Sequence, residues 1–347
     1  NYTLYYMKIW IDVSNAPHIH FFKNIIKELK VRGHDVVVTA RNFDSIIEIL
    51  ELHDIDYRLV GKHGGFSLKD KLVESSKRIM GLTEIISKES PDLALYKHSV
   101  EASRVSYGLK IPSLCVLDNE IAESQNKLML PLSTKIIAPK AIPLKEITRY
   151  GVSKKNIRRF YGVCELAHVR DFVPDEKVMS NFNFDRPLIV MRPEPIKADY
   201  YKGDKDKSII RDIIVNSSMD ATFVVFPRCE DQKKLFDFEN VIIPENVIDS
   251  LSLIHYSDLV ISAGGSMNRE AIALEVPAIS AFPGHVLAVT QFLIDLGIKD
   301  HSLDPKEIWK MAEEFMTSTY KKDVRKALKK MENPVDIILE EIEAIED

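Results

Sequence analysis

The sequence predicts an α/β protein made of two doubly wound, Rossmann-like domains that face a cleft. Three observations lead there. Strand-length apolar runs and amphipathic helical stretches alternate through both halves of the chain, the pattern of parallel sheets with crossover helices. The 347 residues suffice for two separate cores. Between residues 150 and 185 the alternation lapses into turn-rich chain, with Tyr150-Gly151, Tyr161-Gly162 and Phe172-Val173-Pro174, as suits an interdomain connection and hinge.

In the first half, residues 8–13 read as a strand. Residues 21–32 read as a helix with Phe22, Ile25, Ile26 and Leu29 on one face, closed by Gly33. A strand at 35–40, a helix at 43–52 and a short strand at 56–59 follow. Residues 62–67, with Gly64 and Gly65, read as a mobile loop, and 68–88 as a long helix. Strands at 93–96, 113–117 and 135–138 complete the first set. The second set has strands at 187–191, 221–226, 241–243, 259–262 and 278–281, with helices at 208–215, 230–236 and 248–255. Three helices close the chain, beginning near Pro305, Lys321 and Pro334. The last carries Val335, Ile338, Leu339, Ile342 and Ile345 as a stripe that must be buried. The expected domains are 7–162 and 163–333, with 334–347 packing back on the first.

Composition narrows the function. The chain is 45% hydrophobic and 29% charged, as in soluble globular proteins. A net charge of −5 argues against nucleic acid as a partner. No apolar run approaches the roughly 20 residues of a membrane span, and no signal-peptide core is visible. Met7 reads as a natural start, with residues 1–6 an upstream remnant. Cys115, Cys164 and Cys229 are few and scattered, and read as reduced core thiols of a cytoplasmic protein.

The most informative segment is 258–285, DLVISAGGSMNREAIALEVPAISAFPGH. A buried strand enters the turn Ala263-Gly264-Gly265-Ser266, a helix carrying Glu270 follows, and a second strand comes after. A glycine turn at a helix N-terminus exposes backbone N–H groups where the dipole favours an anion. The N–H groups of Gly264, Gly265, Ser266 and Met267 are thus candidates for phosphate, and Glu270 for the two hydroxyls of a ribose. A plain βαβ turn is the alternative.

This pattern resembles the GT-B glycosyltransferases, above all MurG-like N-acetylglucosaminyltransferases, and the non-hydrolysing UDP-N-acetylglucosamine 2-epimerases of the same fold. It is most similar to a mostly archaeal family of unassigned function that opens like IDVSNAPHIHFFK. His18 and Gly33-His34-Asp35-Val36 keep the MurG-like spacing, but Ser14-Asn15-Ala16-Pro17 replaces the glycines and Pro17 removes a donor. The resemblance therefore leaves His18 as a general base without a phosphate role. It matches Glu270 to a ribose-binding glutamate and Gln291 to a glutamine near the donor-sugar hydroxyls. Glu275 stands where the family has a helix-ending glycine. Asp118-Asn119-Glu120 resembles a polar turn facing the cleft.

Each candidate has a structural counterpart. His18 and His20 share a face if the segment is extended, making a metal pair conceivable, but no third ligand is apparent and either ring can simply bond a carbonyl. Asp12 can orient His18 or satisfy a turn. Asp118 or Glu120 can serve as base, or the cluster can be an Asx turn and helix cap. Arg192 can offer a fork to phosphate, or pair with Glu194. Arg228 is a similar strand-end arginine, Arg269 reads as an exposed helix charge, and His285 can contact the diphosphate or donor sugar. The runs 153–159 and 202–207 read as exposed charged faces.

The resulting expectation is a metal-independent glycosyltransferase with no cofactor beyond its UDP-sugar co-substrate. It would transfer a hexosamine-type sugar to a glycan, peptide or lipid-linked acceptor of the cell-envelope kind, with peripheral membrane contact for a lipid-linked one. The alternatives are a UDP-N-acetylglucosamine 2-epimerase and a non-catalytic nucleotide-sugar-binding protein. Sugar, acceptor, base identity and oligomeric state stay open.

Overall fold

A computed structural model describes residues 6–65, 67–196, 207–317 and 319–346. The run 202–207 lies outside these residues up to 206, as does the remnant 1–6 up to 5. The chain forms two units: one runs to His168 and resumes at Glu332, and the other spans Val169–Met331. The division therefore falls later than residue 162.

Unit 1 follows the order β1 (Lys8–Val13), α1 (Ala16–Val31), β2 (Asp35–Asn42), α2 (Ile46–Leu52), β3 (Arg58–Lys62) and α3 (Leu68–Glu89). It continues with β4 (Leu93–Lys97), α4 (Val100–Gly108), β5 (Ser113–Val116), α5 (Glu123–Met129), β6 (Lys135–Pro139), α6 (Lys145–Thr148) and β7 (Ile157–Phe160). The seven strands lie in the order β3-β2-β1-β4-β5-β6-β7, every pair parallel. Helices cover a parallel sheet on both faces, so its central strands are mostly apolar: every residue of β4 and β5 is buried, whereas the edge strand β3 is largely exposed. The order reverses between β1 and β4. Ligands of open α/β sheets bind outside the strand carboxyl ends at such a switch point.

Unit 2 contains β8 (Leu188–Arg192), α7 (Ile209–Val215), β9 (Thr222–Val225), α8 (Glu230–Lys233), β10 (Val241–Ile242), α9 (Ser250–Tyr256) and β11 (Leu259–Ser262). Then come α10 (Gly265–Ala273), β12 (Ala278–Ser280), α11 (Ala288–Asp295), β13 (Asp300–His301), α12 (Pro305–Thr317) and α13 (Tyr320–Leu328). The parallel order is β10-β9-β8-β11-β12-β13, and its switch point lies between β8 and β11. The final helix, α14 (Pro334–Glu346), belongs to unit 1, where Val335, Ile338, Leu339 and Ile342 join the core formed by Ile11, Phe22 and Ile25.

Several sequence expectations are corrected. The first helix starts at Ala16, not 21, because Pro17 lies in its first turn, where a fixed φ and a missing N–H cost nothing. Strand β7 occupies chain that reads as connection. The basic run 153–159 is therefore a short 3-10 turn and an edge strand, not a helix face. Its Arg158 reaches Glu340 of α14 at 2.8 Å. In the loop at 62–67, Lys62 ends β3 and His63 stacks on Phe43 with centroids 4.2 Å apart; Phe66 is outside the described residues. Cys115 and Cys164 are buried, whereas Cys229 is half-buried; none of the three is in a disulfide. Burial pushes the Cys115 thiol up to about 12, leaving it uncharged.

Candidate functional site

The switch point of unit 1 gathers the carboxyl ends of β1, β4 and β5, and each strand carries a polar side chain at or just past its end. Asp12 of β1 is wholly buried. Its carboxylate accepts from Thr39 Oγ1 at 2.6 Å, from Ser99 Oγ at 2.5 Å and from Arg78 Nη2 and Nη1 at 2.6 and 3.1 Å. With those donors it is a structural anchor and does not orient His18. Arg78 also lies 3.6 Å from Glu101.

His18 sits in the first turn of α1, buried, with Nδ1 3.3 Å from Ser14 Oγ. His18 and His20 are helical, not extended, so two residues turn them to different sides. His20 packs instead between His53 and His168, with ring centroids 5.6 and 5.9 Å away. Burial holds His18 well below the ordinary histidine value, and the neighbouring charges of Lys97 and His98 add to that. The preceding loop is pinned by Arg41, whose Nε donates to Ser14 O at 2.7 Å and Nη2 to Asn15 Oδ1 at 3.1 Å.

Asp118 follows β5 and meets two groups that end β4. Lys97 Nζ is 2.7 Å from Oδ2, and His98 Nε2 is 3.0 Å from Oδ1. Burial opposes the Lys97 charge, but Asp118, with Cys164 and Glu165, outweighs it and raises the ammonium above its ordinary value. Lys97 Nζ also lies over the Phe21 ring, 4.8 Å from its centroid. The turn role falls to Asn119, whose Oδ1 accepts from Ile121 N at 3.1 Å, so the Asx turn and the charged site coexist in adjacent residues. Glu120 is buried, and its carbonyl accepts from Asn126 Nδ2 at 3.4 Å. Lys97, His98, Arg78 and Arg41 went unnoticed in the sequence. The cue was available for one pair: Lys97-His98 directly follows an apolar strand.

In unit 2, Arg192 ends β8 as the register partner of Ser262 at the end of β11. Ser262 Oγ accepts the Gly264 N–H at 3.0 Å. Gly264 is thus occupied, and the helix-start donors reduce to Gly265, Ser266 and Met267. Asn268 Nδ2 ties the turn down, donating to Ser262 O at 3.0 Å and Gly264 O at 2.9 Å. The glycines admit arginines. A Cβ on Gly264 would stand 2.4 Å from Arg228 Nη2, and one on Gly265 2.5 Å from Arg269 Nη1. Arg269 is buried, not an exposed helix charge. Arg228 is aimed by its Nε bond to Pro193 O at 3.0 Å. Two guanidiniums therefore flank a turn that already favours anions.

Glu270, buried, lies on the same helix. Glu194 is engaged by Ser208 Oγ at 2.8 Å and by Ile209 N, at the start of α7. His285 is exposed on the loop after β12, and Gln291 is exposed on α11 with its amide donating to Asp295 Oδ1 at 2.8 Å. Among the described residues neither hydrogen-bonds the Gly264–Met267 turn. Glu275 ends α10 with a left-handed φ of 63°, held by Arg325 through bonds of 2.9 and 2.6 Å. The corner that the family builds with glycine is built here with an ion pair. Among the described residues no group of three His, Cys, Asp or Glu side chains is placed to hold a metal ion, and no helix is long and apolar enough to cross a membrane.

Residues 7–346 match the model of a family described as a protein of unknown function, DUF354, and the chain belongs to that family. It is 38% identical over 345 residues to an uncharacterized protein of Methanocaldococcus jannaschii, covering 97% of this chain and 98% of the other. It is 23% identical over 311 residues to a UDP-N-acetylglucosamine 2-epimerase of Methanococcus maripaludis, covering 79% and 82%. Among solved structures, the UDP-GlcNAc 2-epimerase of Methanocaldococcus jannaschii in complex with UDP-GlcNAc and UDP superposes with a TM-score of 0.73 at 17% identity, over 95% of this chain and 96% of that one. A spinosyn rhamnosyltransferase complexed with spinosyn aglycone gives 0.64 at 12% identity, over 98% and 100%. These likenesses show the GT-B type α/β fold.

Proposed function

We propose that this protein is a nucleotide-sugar enzyme that binds a UDP-sugar in unit 2 and transfers the sugar to an acceptor. One observation carries the reading: the Gly264-Gly265 turn opens α10 between the guanidiniums of Arg228 and Arg269, with Glu270 farther along the same helix. The cations and helix-start N–H groups suit a diphosphate, and the carboxylate suits a ribose. When the bond to UDP breaks, negative charge grows on the leaving phosphate, and pre-oriented donors stabilise it. In this proposal the arginines supply the positive charge and no bound metal is needed.

A second reading, epimerisation of UDP-N-acetylglucosamine, is favoured by the Methanococcus maripaludis relative. It needs acid and base groups on two faces of one sugar, and unit 1 carries two imidazoles, His18 and His98, beside Asp118. Incubation with UDP-N-acetylglucosamine alone, followed by proton NMR, separates the readings: the manno epimer marks the second, and slow release of UDP to water the first. Calorimetry with UDP tests what they share. Loss of a charged hydrogen-bond partner is worth about 1.5–3 kcal/mol, so Glu270→Ala should weaken UDP roughly 10- to 100-fold. Unchanged affinity would remove the ribose assignment.

A further inference from the structure

We infer that α3 is the face through which two copies of this chain associate, crossing antiparallel about a two-fold axis at Ser76. The contact lies within unit 1 and does not depend on the nucleotide-sugar reading.

Exposure is the first reason. The buried residues of α3 are Arg78, Leu82 and Ile86. Elsewhere on the same helix Leu68, Leu72 and Met80 are 76%, 70% and 67% exposed. With Ser76 and Glu84 they stand at four-residue spacing, so they form one continuous ridge along the helix. Isolated apolar side chains on a surface need no explanation, whereas a contiguous row marks a contact face.

The polar groups beside the ridge are the second. Its hydroxyls bond back to their own helix: Ser76 Oγ donates to Leu72 O at 2.9 Å and Thr83 Oγ1 to Ile79 O at 2.7 Å. Covering them leaves no donor unsatisfied. Lys77 is neutralised by Glu74, with Nζ 2.8 Å from Oε1. Lys69 and Glu84 are left, and among the described residues neither has a charged partner.

Symmetry is the third, and it selects the occupant. In a two-fold contact residue i of one copy meets residue j of the other, and j meets i. An antiparallel crossing at Ser76 sets Leu72 of each copy against Met80 of the other. It also brings Lys69 beside Glu84, so each unpaired charge finds its opposite. Ser76, the smallest side chain of the row, lies on the axis, where the two backbones come closest. A membrane surface is the rival occupant. It would select a basic border, yet α3 carries four lysines against four acids.

The test is sedimentation velocity of the full chain. Wild type should sediment as a dimer at about 100 µM and dissociate on dilution, as a contact of one helix pair implies. Met80→Glu should weaken the dimer by roughly tenfold or more. Lys69→Glu and Glu84→Lys should each weaken it about tenfold by setting like charges together, and the double variant should restore it. All are surface changes, and circular dichroism checks that each variant is folded. A wild-type monomer at that concentration overturns the inference. So does a dimer indifferent to Met80→Glu, which would use another face. Single swaps that weaken the dimer with no rescue in the double variant overturn the antiparallel crossing. Flotation of a monomeric chain with phosphatidylglycerol vesicles, abolished by Met80→Glu, would give the face to a membrane instead.

Discussion

Arg78 of α3 grips Asp12 of β1 through two hydrogen bonds of 2.6 and 3.1 Å, with both side chains only 1% exposed. Thr39 of β2 and Ser99 before α4 add donors to the same carboxylate. One aspartate thus fastens two central strands, a crossover helix and the turn that carries His98. Breaking a buried pair by removing one partner leaves an uncompensated charge and costs about 3–5 kcal/mol. Arg78→Met should therefore lose about 3 kcal/mol or more in urea unfolding, and Asp12→Asn combined with Arg78→Met should recover part of it. A single-variant loss below about 1 kcal/mol would show that the pair is not an anchor.

The sheets were legible because parallel strands buried on both faces read as continuous apolar runs, as at Leu93–Lys97 and Leu259–Ser262. The site was less so. Pro17 reads as a breaker, yet it opens α1 and carries His18 into a helix. Arg78 and Arg269 sit in helical stretches where a charge ordinarily faces water. Their burial depends on Asp12, 66 residues away, and on a glycine one turn back. No local pattern records such partners. Strand β7 escaped notice because Ile157-Arg158-Arg159-Phe160 lacks alternation, its arginines reaching Glu340 of α14 and the carbonyls of Lys140 and Ile142.

The Gly264–Arg228 contact separates folding from binding. An alanine Cβ at 264 would meet only the end of a flexible side chain, at 2.4 Å. The guanidinium can move aside, so Gly264→Ala should cost less than about 1 kcal/mol of stability. It should nonetheless displace the cation from the turn and weaken UDP about tenfold, while uridine, lacking phosphate, is affected little. Paired calorimetric titrations with UDP and uridine read this directly. Equal losses for both ligands would place Arg228 away from the phosphates.

Acid should destabilise unit 1 through His18. Its folded value is lowered by burial, so below the unfolded value, about 6.5, the unfolded chain binds a proton that the folded one refuses. Stability then rises with pH across that window and falls as pH drops from about 6.5 towards 5. His255 and His301, also lowered by burial, give unit 2 a trend of the same sign. His18→Gln should flatten the fall in Tm between pH 7 and 5 relative to wild type. A slope unchanged by this substitution would mean that His18 titrates freely.

Glu275 sets two effects against each other. Its φ of 63° is a conformation that L side chains adopt at a cost of roughly 1–2 kcal/mol, which glycine avoids. Its carboxylate, held below the usual range chiefly by the Arg325 hydrogen bond, earns back only what an ion pair open to solvent gives. Arg325 is 60% exposed, and such pairs contribute about 0.2–1 kcal/mol. Strain is the larger effect. Glu275→Gly should leave Tm unchanged or raise it slightly, whereas Glu275→Ala loses the pair, keeps the strain and should lower Tm. If Glu275→Gly proves the more damaging of the two, the Arg325 pair contributes more than its exposure allows.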